Sequence, residues 1–414
     1  MHLLPDLSMG VRTLTKEQKL LIGSYFTMEY SIEAAAFFNP SVIESADQNG
    51  LAAGEKRIIL SFRATGEGHI SSIVFRCGVI DTENNITISS PGKMLESPVH
   101  VKNHQYQKKS FRRKLTEMQD CPSAAYPVMM DKLTETFTYE ELKRYVEETR
   151  PLVVNDVKSL VLLNEIMWLA SSHYEMHFSL DTDISERVIF PIADTEMKEI
   201  EDARFVRFTG DDDEVTYYAT YTAYDGITIL PKLLRTKDFY NFKVMPIHGE
   251  VAQNKGMALF PRKIKGRFAM LCRGDGVNNY ISFSENINVW RQASLLQVPA
   301  YPWELVQMGN CGSPIETSHG WLVITHGVGP VRQYVLGVTL LDLEDPCKVI
   351  GRLPEPLLIA NAKEREGYVP NVVYSCGAII HNNHLVIPYA MSDHASTYAT
   401  VNLDELLSAL KEQV

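Results

Sequence analysis

Five stretches of this chain can be laid beneath one another: RIILSFRATG from Arg57, YYATYTAYDG from Tyr217, RFAMLCRGDG from Arg267, WLVITHGVG from Trp321 and HLVIPYAMSD from His384. Each is a β-prone run of about six residues that closes on a polar residue and a turn. Four are preceded by a second run (DARFVRF, GMALFPRKI, CGSPIET and VVYSCGAII), joined to it by a short turn. A third run often follows. From Tyr217 onward the unit recurs every 50 to 63 residues, as expected of small antiparallel sheets in an array. One such sheet leaves a face bare, whereas a closed ring buries every face. The expected fold is all-β, a five-bladed β-propeller.

The innermost strands of a propeller line a central channel. If the aligned runs are those strands, Arg63, Thr222, Arg273, His326 and Tyr389 share one column at its mouth. His326 would end its apolar run there for a functional reason. Read alone, it is a hydrogen-bonded histidine at a strand end.

Between the first two units the pattern changes. TYEELKRYVEETR opens with Thr138 and Glu141 at capping-box spacing. NDVKSLVLLNEIMWLASSHY carries Val157, Leu160, Val161 and Trp168 near helical spacing. We therefore expect a helical insertion at about 130–178 in a propeller spanning 39–414, with residues 1–38 as an N-terminal extension, partly helical over Thr15 to Phe37. Such appendages commonly serve packing or oligomer contacts, and a homo-oligomer is compatible with them.

Of the 414 residues 45% are hydrophobic and 22% charged, ordinary values for a globular protein. The formal charge of −11 argues against a nucleic-acid or anionic-membrane surface. The basic run KKSFRRK from Lys108 reads as a solvated loop. Six scattered cysteines, without CxxC or zinc spacing, suit a reducing compartment and no metal site. The N-terminus lacks the blocks of a signal peptide, and LVLLNEIMWLA is too short to span a bilayer. The expected location is cytoplasmic.

Candidate chemistry clusters at predicted strand ends. IEDARFVRF places Glu201, Asp202 and Arg204 at the start of a strand. This is either a plain salt bridge or, over a channel, a general acid tuned by burial and cations. Lys255, Arg262, Arg273, His326 and Arg332 are numerous cations for an acidic chain. They either neutralise carboxylates or bind an anion such as phosphate. The glycines form neither a P-loop nor a nucleophile elbow. Trp168, Trp290, Trp303 and Trp321 read first as core residues, and second as sugar platforms.

The motifs FFNPSVI, SFRATGEGHISSIVF, IEDARFVRF, NKGMALFPRKIKGRF, GNCGSPIETSHGWLVITHGV, LGVTLLDLEDPCKVI and EGYVPNVVYSCG, in this order, resemble glycoside hydrolase family 130, the β-mannoside phosphorylases and related β-mannosidases. The resemblance runs from Asn39 to about Leu407 and implies a five-bladed propeller. It implies inverting attack by inorganic phosphate on a non-reducing-end β-mannoside, giving α-mannose 1-phosphate, with phosphate as co-substrate and no cofactor. By the same resemblance Asp202 is the acid, acting through the sugar 3-hydroxyl. Asn39, Arg63 and Asp393 hold the mannosyl unit, with Tyr389 beside them. Lys255, Arg273 and His326 are the candidates for phosphate. Ala203 stands where the family has proline, and the segment around Glu364 and Glu366 is distinctive. The alternatives are an inverting β-mannosidase with Glu304 or Glu316 as base and a non-catalytic carbohydrate-binding propeller.

Overall fold

A computed structural model describes residues 15–26, 30–101, 105–109, 111, 112, 115, 130–226 and 229–411. Residues 1–14, Cys121 and part of the basic run lie outside these.

Five antiparallel sheets form the five blades of a β-propeller. Blade 1 is built from Ala36–Glu44, Lys56–Thr65, Ser71–Ile80 and Ile86–Ile88. Blade 2 runs from Glu199–Thr209 outward through Val215–Tyr224, Ile229–Thr236 and Asn241–Pro246, and is widened by Tyr174–His177 and Val99–Val101. Blade 3 contains Ala258–Leu259, Phe268–Cys272, Asn279–Ser284 and Ala293–Gln297. Blade 4 contains Gln307–Asn310, Gly320–Val328, Tyr334–Leu341 and Val349–Arg352, with Ile315–Thr317 beside the second strand. In blade 5, Val373–Tyr374 and Ile379–His381 flank one edge of His384–Met391, and Ala395–Asn402 the other.

The aligned runs prove to be the second strand of each blade, and the innermost strand is the run before it. This corrects the expected column: its residues approach the channel from one strand further out. The ring closes between blades 5 and 1. The Phe37 amide donates to the His394 carbonyl at 2.9 Å, and the Cys376 amide to the Pro40 carbonyl at 2.8 Å. Closure of this kind turns the inner edges of the blades toward one another, where they are protected.

The period-2 alternation of each strand puts apolar side chains on both faces, and these form separate cores between neighbouring blades. Phe75 and Phe205 pack edge-on at 5.8 Å between blades 1 and 2. Phe260 and the fully buried Trp321 do so at 5.1 Å between blades 3 and 4. Trp303 explains two glycines: a Cβ on Gly327 or Gly337 would come within 2.4 or 2.5 Å of its ring. The tryptophan so inserted donates to the Pro354 carbonyl at 2.8 Å.

Helix α1 spans Lys16–Ser24, and blade 1 begins at Ala36, just before the expected boundary at 39. The insertion holds α2, Tyr139–Thr149, with the Thr138–Glu141 capping box formed in both directions, and α3, Val157–Ser171, capped by Asp156. The two helices share a core that includes Phe137, Leu142, Leu163 and Ile166. The following strand, Tyr174–His177, joins the sheet of blade 2. A C-terminal helix α4, Leu403–Lys411, packs against blade 4 through Leu406, Leu407 and Leu410. No helix among the described residues is long and apolar enough to cross a membrane.

Candidate active site

The inner strands of blades 1 and 2 carry the same irregularity. Their pairing shifts between Phe38 and Ser41 in one and between Glu201 and Arg204 in the other. Each shift is a bulge, which bends a strand and re-aims a side chain. The residues in it, Asn39 and Asp202, adopt left-handed backbone at φ 51 and 53, a conformation asparagine and aspartate tolerate best among non-glycine residues. The two bulges face one another at one end of the channel. Asn39 Nδ2 donates to Asp202 Oδ1 at 2.6 Å. Asn39 Oδ1 is buried without a partner among the described residues, leaving an acceptor for an incoming hydroxyl.

Arg63 enters from the second strand of blade 1. Its Nη2 lies 3.1 Å from Glu199 and 3.6 Å from Glu201, and its Nη1 lies 3.9 Å from Asp202. Ser71 Oγ accepts from its Nε at 2.7 Å. Glu201 also takes the ammonium of Lys255. Asp393 faces the same space from the turn ending the long strand of blade 5. Burial, reinforced by the charge of Asp202, raises its carboxyl to about 6, while Arg63 and Arg332 oppose the rise. Asn39, Arg63, Asp202 and Asp393 thus share one end of the ring.

A second cluster adjoins it. Arg204, two residues after Asp202, is buried and donates to the Tyr374 hydroxyl at 2.7 Å and the Met257 carbonyl at 3.3 Å. Arg273 leaves blade 3 toward the same place, and a Cβ on Gly256 would lie 3.5 Å from Arg204 Nη1 and 3.8 Å from Arg273 Nε. Burial, and beyond it the charge of Arg204, pulls the Arg273 guanidinium below its ordinary value. Among the described residues neither guanidinium has an ion pair, and the Nε of each is buried without a partner. Two adjacent like charges, one buried and one half-buried, each with an unmet buried donor, are costly unless an anion completes them.

His326 stands behind Arg273. Its Nε2 is 3.3 Å from Arg273 Nη1, its Nδ1 is 3.6 Å from Cys311 Sγ, and its ring stacks on Tyr334 at 5.9 Å. Burial, then the charges of Arg273 and Arg204, push it well below the usual imidazole range. It is therefore neutral, able to accept from Arg273 through one nitrogen while the other carries its proton. A Cβ on Gly309 would come within 2.4 Å of the ring, so the glycine makes room for it.

The expected site residues divide accordingly. Asn39 and Arg63 meet Asp202, Lys255 is tied to them through Glu201, and Asp393 lies near enough to feel the charge of Asp202, while Arg273 and His326 pair beside Arg204. The Tyr389 hydroxyl instead donates to Glu364 at 2.7 Å, fastening a loop. The two alternative bases lie elsewhere. Glu316 forms a bidentate pair with Arg262 at 2.7 Å, at the opposite end of the channel, where Glu44 and Thr209 end their strands. Glu304 is fully buried against Arg352 and the amides of Ala300 and Tyr301. Sequence reasoning missed Arg204 as an anion-site residue, because a nearby aspartate on one strand suggests a simple pair. It missed Tyr374 altogether. The only signal for Arg204 was the bulge, and a bulge is visible in pairing, not in sequence.

A sequence model of one glycoside hydrolase family, described as β-1,4-mannooligosaccharide phosphorylase, matches residues 132–412. The chain belongs to glycoside hydrolase family 130. Similar proteins include a 1,2-β-oligomannan phosphorylase of Thermoanaerobacter sp. (strain X514), 33% identical over 218 residues, which are 51% of this chain and 71% of that one. A β-1,2-mannobiose phosphorylase of Listeria innocua serovar 6a is 29% identical over 257 residues, 59% of this chain and 68% of that one. A solved β-1,2-mannobiose phosphorylase from Listeria innocua, in complex with β-1,2-mannobiose, has a TM-score of 0.54 at 22% identity, with 94% of each chain covered. At that identity the solved structure speaks for the fold.

Proposed function

We propose that this family 130 protein is an inverting β-mannoside phosphorylase that releases α-mannose 1-phosphate. The observation that carries the reading is the pair of the buried Arg204 and the half-buried Arg273, side by side next to Asp202 and without an ion-pair partner among the described residues. A phosphate there would accept charge-assisted hydrogen bonds from both guanidinium groups and neutralise their mutual repulsion. Lys255 is a third cation, once Glu201 shares it.

In the reaction a phosphate oxygen attacks the anomeric carbon from the face opposite the leaving group. The glycosidic bond breaks, and the leaving oxygen takes the proton that Asp202 supplies through the sugar 3-hydroxyl. Asn39 and Arg63 hold the Asp202 carboxylate, and Asp393 and Asn39 Oδ1 accept from sugar hydroxyls. Phosphate is itself the nucleophile, so no second carboxylate has to activate water. That suits a site in which Glu304 and Glu316 are each engaged by an arginine, Arg352 and Arg262.

The relatives named for β-1,2-linked substrates make β-1,2-mannobiose the first substrate to test. Incubation with and without phosphate decides the reading. Mannose 1-phosphate formed only with phosphate is the expected result. Free mannose released without phosphate would overturn it in favour of hydrolysis.

A further inference from the structure

The loop 361–370 is not absorbed by the reaction described above, yet it is bound tightly to the site. Its Glu364 accepts from the Tyr389 hydroxyl at 2.7 Å and from the Asn361 amide at 2.9 Å. The carbonyl of Glu364 accepts from Ser392 Oγ at 2.6 Å, and the Val369 amide donates to the Ser392 carbonyl at 3.0 Å. Gly367 lies so close to Ser392 that a Cβ there would meet the Ser392 Cβ at 2.6 Å. Ser392 precedes Asp393, so the loop is fastened to the turn that carries the sugar-binding carboxylate.

What this anchored loop presents outward is an aromatic ring. Tyr368 is 78% exposed. Its ring centroid lies 6.5 Å from that of His69, with the planes inclined by 37°. His69 is also exposed, in the turn that follows the Arg63 strand, at φ 60. The two rings are too close to sandwich a sugar, and form one inclined ledge. The turn of Val331 and Arg332, both in left-handed backbone, lies near enough to Asp393 for the charge of Arg332 to act on it. A β-branched residue held at φ 59 and 94% exposed is conformationally costly. The ledge of Tyr368 and His69 thus joins the turn after the Arg63 strand to the loop fastened beside Asp393.

We propose that Tyr368, with His69, is the stacking platform for the sugar on the leaving-group side of the scissile bond, and so selects the acceptor. This rests on the phosphorylase reading. The mannosyl unit sits at Asn39, Arg63 and Asp393 and phosphate at Arg204 and Arg273, so the remaining sugar exits past the rim. An amphipathic ring on a fixed support binds a sugar's C–H face at small entropic cost.

The test is synthesis from mannose 1-phosphate and a manno-oligosaccharide acceptor. For Tyr368→Ala we expect the acceptor KM to rise about tenfold, the loss of one ring face against a sugar. The KM for mannose 1-phosphate should stay within about twofold, and Tyr368→Phe should restore the acceptor KM. A Tyr368→Ala enzyme with unchanged acceptor KM, or with the loss on the donor instead, overturns the proposal. If wild type performs no synthesis, the phosphorylase reading has failed, and calorimetric titration of the Asp202→Asn protein with β-1,2-mannotriose judges the platform alone. There, weaker binding on adding Tyr368→Ala supports it, and equal binding overturns it.

Discussion

Asn39 and Asp202, 163 positions apart in sequence, occupy equivalent bulges in adjacent blades and share a 2.6 Å hydrogen bond. The bond fixes where one carboxylate oxygen points. Asp202→Asn is therefore expected to lower kcat by about 10²–10⁴, the usual contribution of a positioned acid. Asn39→Ala, which frees the carboxylate to rotate and removes a sugar acceptor, should lower kcat/KM by about tenfold or more. Steady-state kinetics with β-1,2-mannobiose, on variants whose melting temperature matches wild type, checks both.

Arg273 and Arg204 lie together without ion pairs among the described residues, so phosphate should stabilise the folded protein. Saturating phosphate at about 100 times its Kd adds about 2.7 kcal/mol to unfolding, a rise readable in the melting temperature. Arg273→Ala removes a charge-assisted partner, and the KM for phosphate should rise about 10- to 100-fold. The phosphate-dependent rise in melting temperature should shrink with it. Sulfate is the control anion, and a rise that survives in Arg273→Ala places the anion elsewhere.

The five-fold repeat was legible because the second strand of each blade is the longest apolar run and ends in a tight turn. The inner strands of blades 1 and 2 are broken by bulges, and those of blades 3, 4 and 5 are reduced to Ala258–Leu259, Gln307–Asn310 and Val373–Tyr374. Their weaker pattern is why the second strands stood in for them. The cations near the mouth were also legible: Lys255 and Arg273 lie in or beside turns, and His326 lies two residues from the end of its strand. Their division of labour was not. His326 reads as a ligand in sequence and as a neutral support for Arg273 in space, because only packing reveals the Tyr334 and Tyr374 rings around it. The engagement of Glu304 and Glu316 was hidden for the same reason: their arginine partners are 48 and 54 positions away.

Lys232 and Glu196 form a fully buried pair at 2.7 Å. Glu196 also accepts from Tyr221 at 2.7 Å, Tyr174 at 3.0 Å and the amides of Ile192 and Ala193. The group joins the segment after the helical insertion to blade 2. Removing one partner strands a charge, so Lys232→Met should destabilise by about 3–5 kcal/mol. The double variant Lys232→Met/Glu196→Gln should lose less than the single. Urea unfolding of wild type, Lys232→Met, Glu196→Gln and the double variant measures the coupling, and simple additivity of the two changes would contradict it.

Asp393 gives the clearest pH dependence. Its carboxyl is raised from 3.8 to about 6, first by burial and then by the charge of Asp202. Below 3.8 it is protonated in both folded and unfolded chains. Between there and about 6 the folded protein holds the proton and the unfolded chain has released it, so stability falls as pH rises through this window. Asn in its place does not titrate. Asp393→Asn should therefore gain melting temperature relative to wild type as pH goes from 4 to 7, and the difference should level off above. The same titration acts on the substrate in the opposite sense. In the proposed complex a sugar hydroxyl donates to the carboxylate, so the KM for the mannoside should rise as pH falls below 6, and that rise should be absent in Asp393→Asn. A melting-temperature difference that is flat from pH 4 to 7 would show that Asp393 keeps an ordinary carboxyl and does not sit beside Asp202 as described.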